Sequence, residues 1–308
     1  MIEKEWSLVV FTLLSQMAVG GFLVVWLAHM VSRRQASDVE VRRLCNGALL
    51  GVGPVVVISL LASLLHLGSP LNAWRAISNL GSSWLSREIF FVLLFFVMWC
   101  VCAYLQWRGA GTERLRGIWA GLTSLVGLLA IFCSAMIYLL PTRPAWNSLA
   151  TPISFFASTF LLGALTAATV FAVYYLVRGK DSETQTALVR ETLRNIGLIA
   201  MAVIVIQAIM LVFQGIYLSS GTVQAQASGQ LLLSTYGIWF WLRVLVGIVA
   251  GFVLVWLAWR RLVGAERGVP VGVTSLIFGA FVVVLAGELI GRVLFYAAAV
   301  PVPLPGVG

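Results

Sequence analysis

Residues 64–74, "LLHLGSPLNAW", close a long apolar run with a histidine, a glycine and a proline. Glycine and proline stop helices, so the run reads as a helix that ends at His66. Twenty-two residues later Glu88 stands equally isolated in "SWLSREIFF", at the head of the next apolar run. The two runs form a hairpin of helices with a scarce titratable group on each side of its mouth. His66 is one of only two histidines in the chain.

Outward from this hairpin the same pattern repeats. A helix that crosses hydrocarbon needs about 20 apolar residues. Eight stretches meet that length, at 6–31, 44–66, 88–107, 117–140, 152–177, 195–218, 236–259 and 272–297. Of the 308 residues, 61% are hydrophobic and 10% charged, against the ~25% charged residues of a soluble domain. The expected fold is therefore all-α, a polytopic transmembrane helix bundle of eight spans, with residues 1–308 as a single integral membrane domain. The first run, behind "MIEKEW", is too long for a signal h-region and is expected to stay as a spanning helix.

The net charge of +9 does not point to nucleic acid. The loops after the first, third, fifth and seventh spans hold fourteen Lys and Arg, and the opposite side holds four: Lys4, Arg75, Arg87 and Arg143. Short cytoplasmic loops carry this excess, which places both termini outside. In a bacterium that side is the periplasm, and the expected location is the inner (cytoplasmic) membrane. The loops at 67–87, 178–194 and 218–235 are too short to fold alone. Neither a phosphate-binding loop nor a dinucleotide fingerprint nor a nucleophile elbow appears. The four cysteines, Cys45, Cys100, Cys102 and Cys133, lack the spacing of a zinc or iron–sulfur site and read as small apolar residues.

The remaining titratable groups are few. Ser86 is placed to cap the third span, which would put Glu88 in the first turn, where the helix dipole favours a carboxylate. The apolar "IFFVLLFF" that follows disfavours the same charge. Ionisable groups near membrane depth mark function, so Glu88 is a candidate proton acceptor and His66 its partner. His29, next to Arg33 and Arg34, reads as an interfacial residue that snorkels. It lies at the opposite face from His66, about 30 Å of hydrocarbon away, which argues against a haem held by two histidines. In "GELIGRVLFY" Glu288 and Arg292 are four apart, share a helix face and read as a structural ion pair. Arg243 has no sequence-local partner; snorkelling, a lipid headgroup and a carboxylate elsewhere all remain open for it.

Three stretches carry a family resemblance: "LLHLGSPLNAWRAISNLGSSWLSREIFF" at 64–91, "PAWNSLATPISFF" at 144–156 and "GELIGRVLFY" at 287–296. Together they resemble the membrane anchor subunit of the anaerobic dimethyl sulfoxide reductase family, over nearly the whole chain. The resemblance implies a menaquinol-oxidising anchor in an anaerobic respiratory molybdoenzyme complex. Electrons would pass to an iron–sulfur subunit and then to a molybdopterin catalytic subunit. It also implies that this anchor holds neither haem, metal nor iron–sulfur cluster, and performs none of the terminal reductase chemistry. In that family the histidine and glutamate of the first stretch serve quinol binding and oxidation; here they are His66 and Glu88. Gly68, Ser69, Pro70, Arg75, Ser86 and Arg87 would shape the mouth of the quinol site and meet the docked subunit.

Two readings compete within that resemblance and two outside it. An anchor of a related polysulfide- or tetrathionate-type reductase would look alike, because the catalytic subunit sets the terminal acceptor. A secondary transporter would favour inverted repeats and a site at the bilayer midplane. An anchor without a quinol site would leave the His66 and Glu88 hairpin without a purpose.

Overall fold

A computed structural model describes residues 6–33, 38–66, 79–177, 182–266 and 268–303. The described residues form α1 (Trp6–Ser32), α2 (Asp38–His66), α3 (Trp84–Arg108), α4 (Glu113–Met136), α5 (Ala150–Val177), α6 (Glu183–Ser220), α7 (Val223–Leu233), α8 (Gly237–Leu242), α9 (Gly251–Val263) and α10 (Val273–Ala297). A π-helical stretch, Arg243–Ala250, joins α8 to α9 into one rod. Eight helices are long and apolar enough to cross a membrane, with α8, the π stretch and α9 counting as one. Helices suit that solvent because every backbone N–H and C=O is satisfied within the segment.

Several helices run past their apolar cores because polar caps carry them on. Thr112, Ser182 and Thr222 accept from backbone N–H groups at the starts of α4, α6 and α7. Interior hydroxyls are spent locally: Thr12, Thr123, Ser124 and Thr159 all donate to carbonyls one turn back on their own helices. The loop expected at 218–235 is mostly α7, a short helix held by its Thr222 cap.

The packing falls into two groups of four. In the first, α1 meets α2, α2 meets α3, α3 meets α4 and α4 returns to α1. In the second, α5, α6, the α8–α9 rod and α10 close in the same order. The seam between the groups is chiefly α1 on α5. There Gly20 and Gly163 let two backbones touch: a Cβ on Gly20 would fall on the Thr159 carbonyl oxygen, and one on Gly163 on the Gly20 backbone. With lipid outside, close van der Waals contact is what drives such helices together.

An even number of passes brings the start of α1 and the end of α10 to one end of the molecule, here called the terminal end. The end of α2, the start of α3, the end of α4 and the start of α5 lie there too. At the opposite end, Arg116 bonds the Ala110 and Gly111 carbonyls and pairs with Glu113, and Arg190 clamps Ala265 and Glu266. His29 also lies there, but it does not snorkel: it is buried and lines a small cavity with Gln106 and Arg116. Cys45, Cys102 and Cys133 are buried as expected, while Cys100 sits on the outward face of α3.

Candidate functional site

His66 closes α2. Its side chain lies outside the described residues, as do Gly68, Ser69, Pro70 and Arg75 altogether. The other half of the hairpin mouth is described from residue 79 on. Helix α3 opens at Trp84, with Ser83 as the cap: its side chain accepts from the Ser86 N–H at 3.3 Å. The expected cap, Ser86, is instead a buried residue of the first turn. Glu88 consequently falls in the second turn, where the dipole of the helix start has largely faded. It faces inward, 7% exposed.

Arg87 turns away from it. Its guanidinium donates to the Leu80 carbonyl at 2.8 Å and the Gly81 carbonyl at 2.7 Å, and stacks on Trp84 at 4.2 Å. Trp84 in turn packs edge-on to Phe132 of α4. Arg87 therefore stiffens the backbone entering α3, which holds the register of the following turn.

The Glu88 carboxylate accepts the Ser134 hydroxyl of α4, its one hydrogen-bond partner among the described residues. Ser134 also lines a small gap of about 20 Å³ between α1, α2, α3 and α4. Ser15 and Ser59 bring two more hydroxyls to it; Val56, Leu60, Phe95 and Ile131 make its wall apolar.

A second polar group lies beside the first at the terminal end. The hydroxyls of Tyr138 and Tyr296 meet at 2.7 Å, both side chains buried. Burial, with Tyr296 beside it, holds the Tyr138 phenol well above its ordinary range. It therefore stays neutral and exchanges hydrogen bonds rather than charge. Trp146 stacks on Phe295 at 5.3 Å and donates to the Phe295 carbonyl at 2.7 Å. Phe155 and Tyr138 complete this aromatic cluster.

Beyond it, the expected ion pair of Glu288 with Arg292 does not form among the described residues. Glu288 accepts from Ser158 of α5 at 2.6 Å and Gln207 of α6 at 2.7 Å. Arg292 donates to Gln16 of α1 at 3.1 Å and lies over the Phe155 ring at 4.1 Å. Four-residue spacing puts two groups on one face, but neighbouring helices offered each a better-placed partner. Those partners, like Ser134 and Tyr138, are ordinary residues in the sequence and become visible only when helices distant in sequence pack. The three stretches singled out in the sequence thus converge at the terminal end: Glu88 from the first, Trp146 and Phe155 from the second, Arg292, Phe295 and Tyr296 from the third.

A protein of the anaerobic dimethyl sulfoxide reductase of Escherichia coli (strain K12) is 29% identical over 293 residues, covering 95% of this sequence and 94% of its own. Its namesake from Haemophilus influenzae is 28% identical over 294 residues, with the same coverages of 95% and 94%. A subunit of the sulfite dehydrogenase of Allochromatium vinosum is 38% identical over 104 residues, 28% of this sequence and 31% of its own. Among solved structures, the bd oxidase of Geobacillus thermodenitrificans superposes with a TM-score of 0.66 at 12% identity, covering 96% of the present protein and 85% of the oxidase chain; this likeness is one of fold. The model of the DMSO reductase anchor subunit (DmsC) family matches residues 2–298, and the protein belongs to that family of membrane anchors.

Proposed function

We propose that this anchor oxidises menaquinol at the terminal end and hands the electrons to an iron–sulfur subunit docked on that face, which feeds a molybdopterin catalytic subunit. The observation that carries the reading is Glu88: a buried carboxylate with a single neutral donor among the described residues, beside a four-helix slot lined by three serines. One hydroxyl occupies one of about four lone-pair sites of a carboxylate. The rest are free to accept a quinol O–H. His66 lies seven residues after Ser59, two turns on along α2, so position 66 shares the face that Ser59 presents to the slot.

The chemistry balances with two acceptors. Oxidation of the quinol to the quinone breaks two O–H bonds and releases two electrons and two protons. Glu88 and His66 take the protons as general bases and pass them to water at the mouth. The electrons leave to the docked subunit. Gly68, Ser69, Pro70 and Arg75 shape the mouth, with Ser86 and Arg87 setting the start of α3. Binding of a quinol analogue to the membrane-extracted complex tests the reading: saturable binding is expected, weakened by Glu88→Gln. A complex that retains its partner subunits yet binds no analogue would be a bare anchor.

The same reading places the terminal end, and so both termini, in the periplasm of a bacterial inner membrane, on the fourteen-to-four bias of Lys and Arg. Reporter fusions at Gly109 and Gly179 are expected to report cytoplasm, and one at Gly221 periplasm. The reverse pattern moves the quinol site to the other compartment. The purified anchor is also expected to show no haem absorbance, since its two histidines belong to opposite ends; a stoichiometric haem spectrum would defeat that expectation.

A further inference from the structure

A roomier cavity than the one beside Glu88 lies in the second group of four helices. It has about 130 Å³ of room between α5, α6, the α8–α9 rod and α10, and α7 forms part of its rim. Its deep wall carries Glu288 and Arg292, and its side carries Arg243. Among the described residues these are the only formally charged ones that line it, two cations against one carboxylate. Glu288 is already engaged by Ser158 and Gln207, and Arg292 by Gln16 and Phe155. Arg243 is half-buried, and among the described residues it makes neither a hydrogen bond nor an ion pair; Glu288 and Arg292 are its charged neighbours. One positive charge is therefore left uncompensated in a mostly apolar cavity, a costly arrangement unless an anion joins it.

The backbone is built to hold that guanidinium there. Arg243 opens the π-helical stretch, a geometry that concentrates at functional positions. A Cβ on Gly291 would come within 2.5 Å of the Arg243 Nε, so the glycine clears the space in which the side chain lies. One turn back, a Cβ on Gly247 would come within 2.9 Å of the Gly287 Cα, so the two helices touch there by backbone. In "GELIGR" each glycine thus lets the rod approach, and each following charged residue faces the cavity.

Depth and surroundings say which anion. Trp239 and Trp241 are 55% and 57% exposed on the same rod, one turn or less above Arg243. Such tryptophans mark the headgroup level of a bilayer. A guanidinium about 6 Å below that level lies within reach of a phosphate, whose oxygens match its forked donors. Deeper than it on α6, Met210 and Leu211 offer an apolar wall, while Leu218, Leu232 and Phe240 line the rim toward the terminal end.

We propose that this cavity is a binding site for a phosphate-bearing anion, held by Arg243 with Arg292 behind it, and that the anion is the headgroup of a phospholipid whose acyl chain lies on the apolar wall. The site is separate from the slot beside Glu88 and does not depend on quinol chemistry there. The complex purified in neutral detergent is expected to retain about one anionic phospholipid per anchor, in excess over zwitterionic lipid, seen by native mass spectrometry. After delipidation, phosphatidylglycerol is expected to bind saturably and phosphatidylcholine of the same acyl length only weakly. Arg243→Gln should weaken phosphatidylglycerol binding about tenfold or more, the scale of a charge-assisted hydrogen bond. Arg243→Lys should retain part of it. Inorganic phosphate that displaced phosphatidylglycerol at similar free concentration would assign the site to the free ion and overturn the lipid assignment. Equal binding of the two lipids, or undiminished binding in Arg243→Gln, would overturn the site. If Arg243→Gln fails to assemble, absence of retained anionic lipid from the parental complex overturns it just as well.

Discussion

Glu88→Gln is expected to lower menaquinol oxidation by about a hundredfold or more, the usual worth of a positioned general base, while the complex still assembles in the membrane. Glutamine keeps the shape of the side chain and can still meet the Ser134 hydroxyl, so the α3–α4 contact survives. What it loses is the ability to take a proton. The loss should fall mainly on kcat, where the proton moves, with a smaller rise in KM from the lost hydrogen bond to the bound quinol. Artificial donors that feed the docked subunits directly should still drive acceptor reduction at the parental rate. His66→Ala should impair the same step, and the double variant should be little worse than the poorer single, because two residues of one site do not contribute additively. Parental menaquinol oxidation by an assembled Glu88→Gln complex would leave the carboxylate with a purely structural bond to Ser134.

The register of Glu88 is what separates these outcomes. Had Ser86 capped α3, the carboxylate would have belonged to the first turn, ionised by the helix dipole and facing outward as easily as inward. With Ser83 as cap, the same residue falls a turn deeper and is buried. The apolar run alone could not reveal this, because "SSW" is polar and reads as loop although it is the start of the helix. The same blindness applies to α7, whose "VQAQASGQLLL" has too few apolar residues to register as a spanning segment. The eight spans themselves were plain in the sequence, since hydrocarbon thickness imposes their length. Glu88 was legible because a lone carboxylate beside a run of phenylalanines has few innocent explanations. Ser134, Tyr138, Gln16 and Gln207 were not, because neutral polar residues are tolerated anywhere on a helix and their significance depends on a partner from another one. Glu288 and Arg292 show the opposite error: their spacing suggested each other, and packing supplied Ser158, Gln207 and Gln16 instead.

Gly20→Ala and Gly163→Ala are expected to be among the most damaging small substitutions at the described residues, each costing about 3 kcal/mol or more through overpacking. Alanine in a helix interior is ordinarily better than glycine by about 1 kcal/mol, so propensity alone predicts the reverse sign. The seam decides against it. A methyl on Gly20 has nowhere to go but onto the Thr159 carbonyl, and one on Gly163 meets the Gly20 backbone. Neither obstacle is a flexible side chain that can rotate aside; both are helix backbone, so relief requires α1 and α5 to separate. That separation would open the joint between the two four-helix groups and disturb what spans it, notably the Arg292 bond to Gln16 on α1. The terminal-end site would loosen along with the fold, and menaquinol oxidation should fall with membrane yield. Gly215→Ala supplies the control within the same protein: it is an exposed glycine of α6 with nothing within 4 Å of the added methyl. It should leave the thermal midpoint of the extracted complex unchanged or slightly raised. The double seam variant should cost less than the sum of its singles, because one displacement of α1 from α5 relieves both clashes. Parental thermal midpoints for both seam variants would mean that the two backbones do not touch in the assembled protein, and that something other than this contact holds the two halves together.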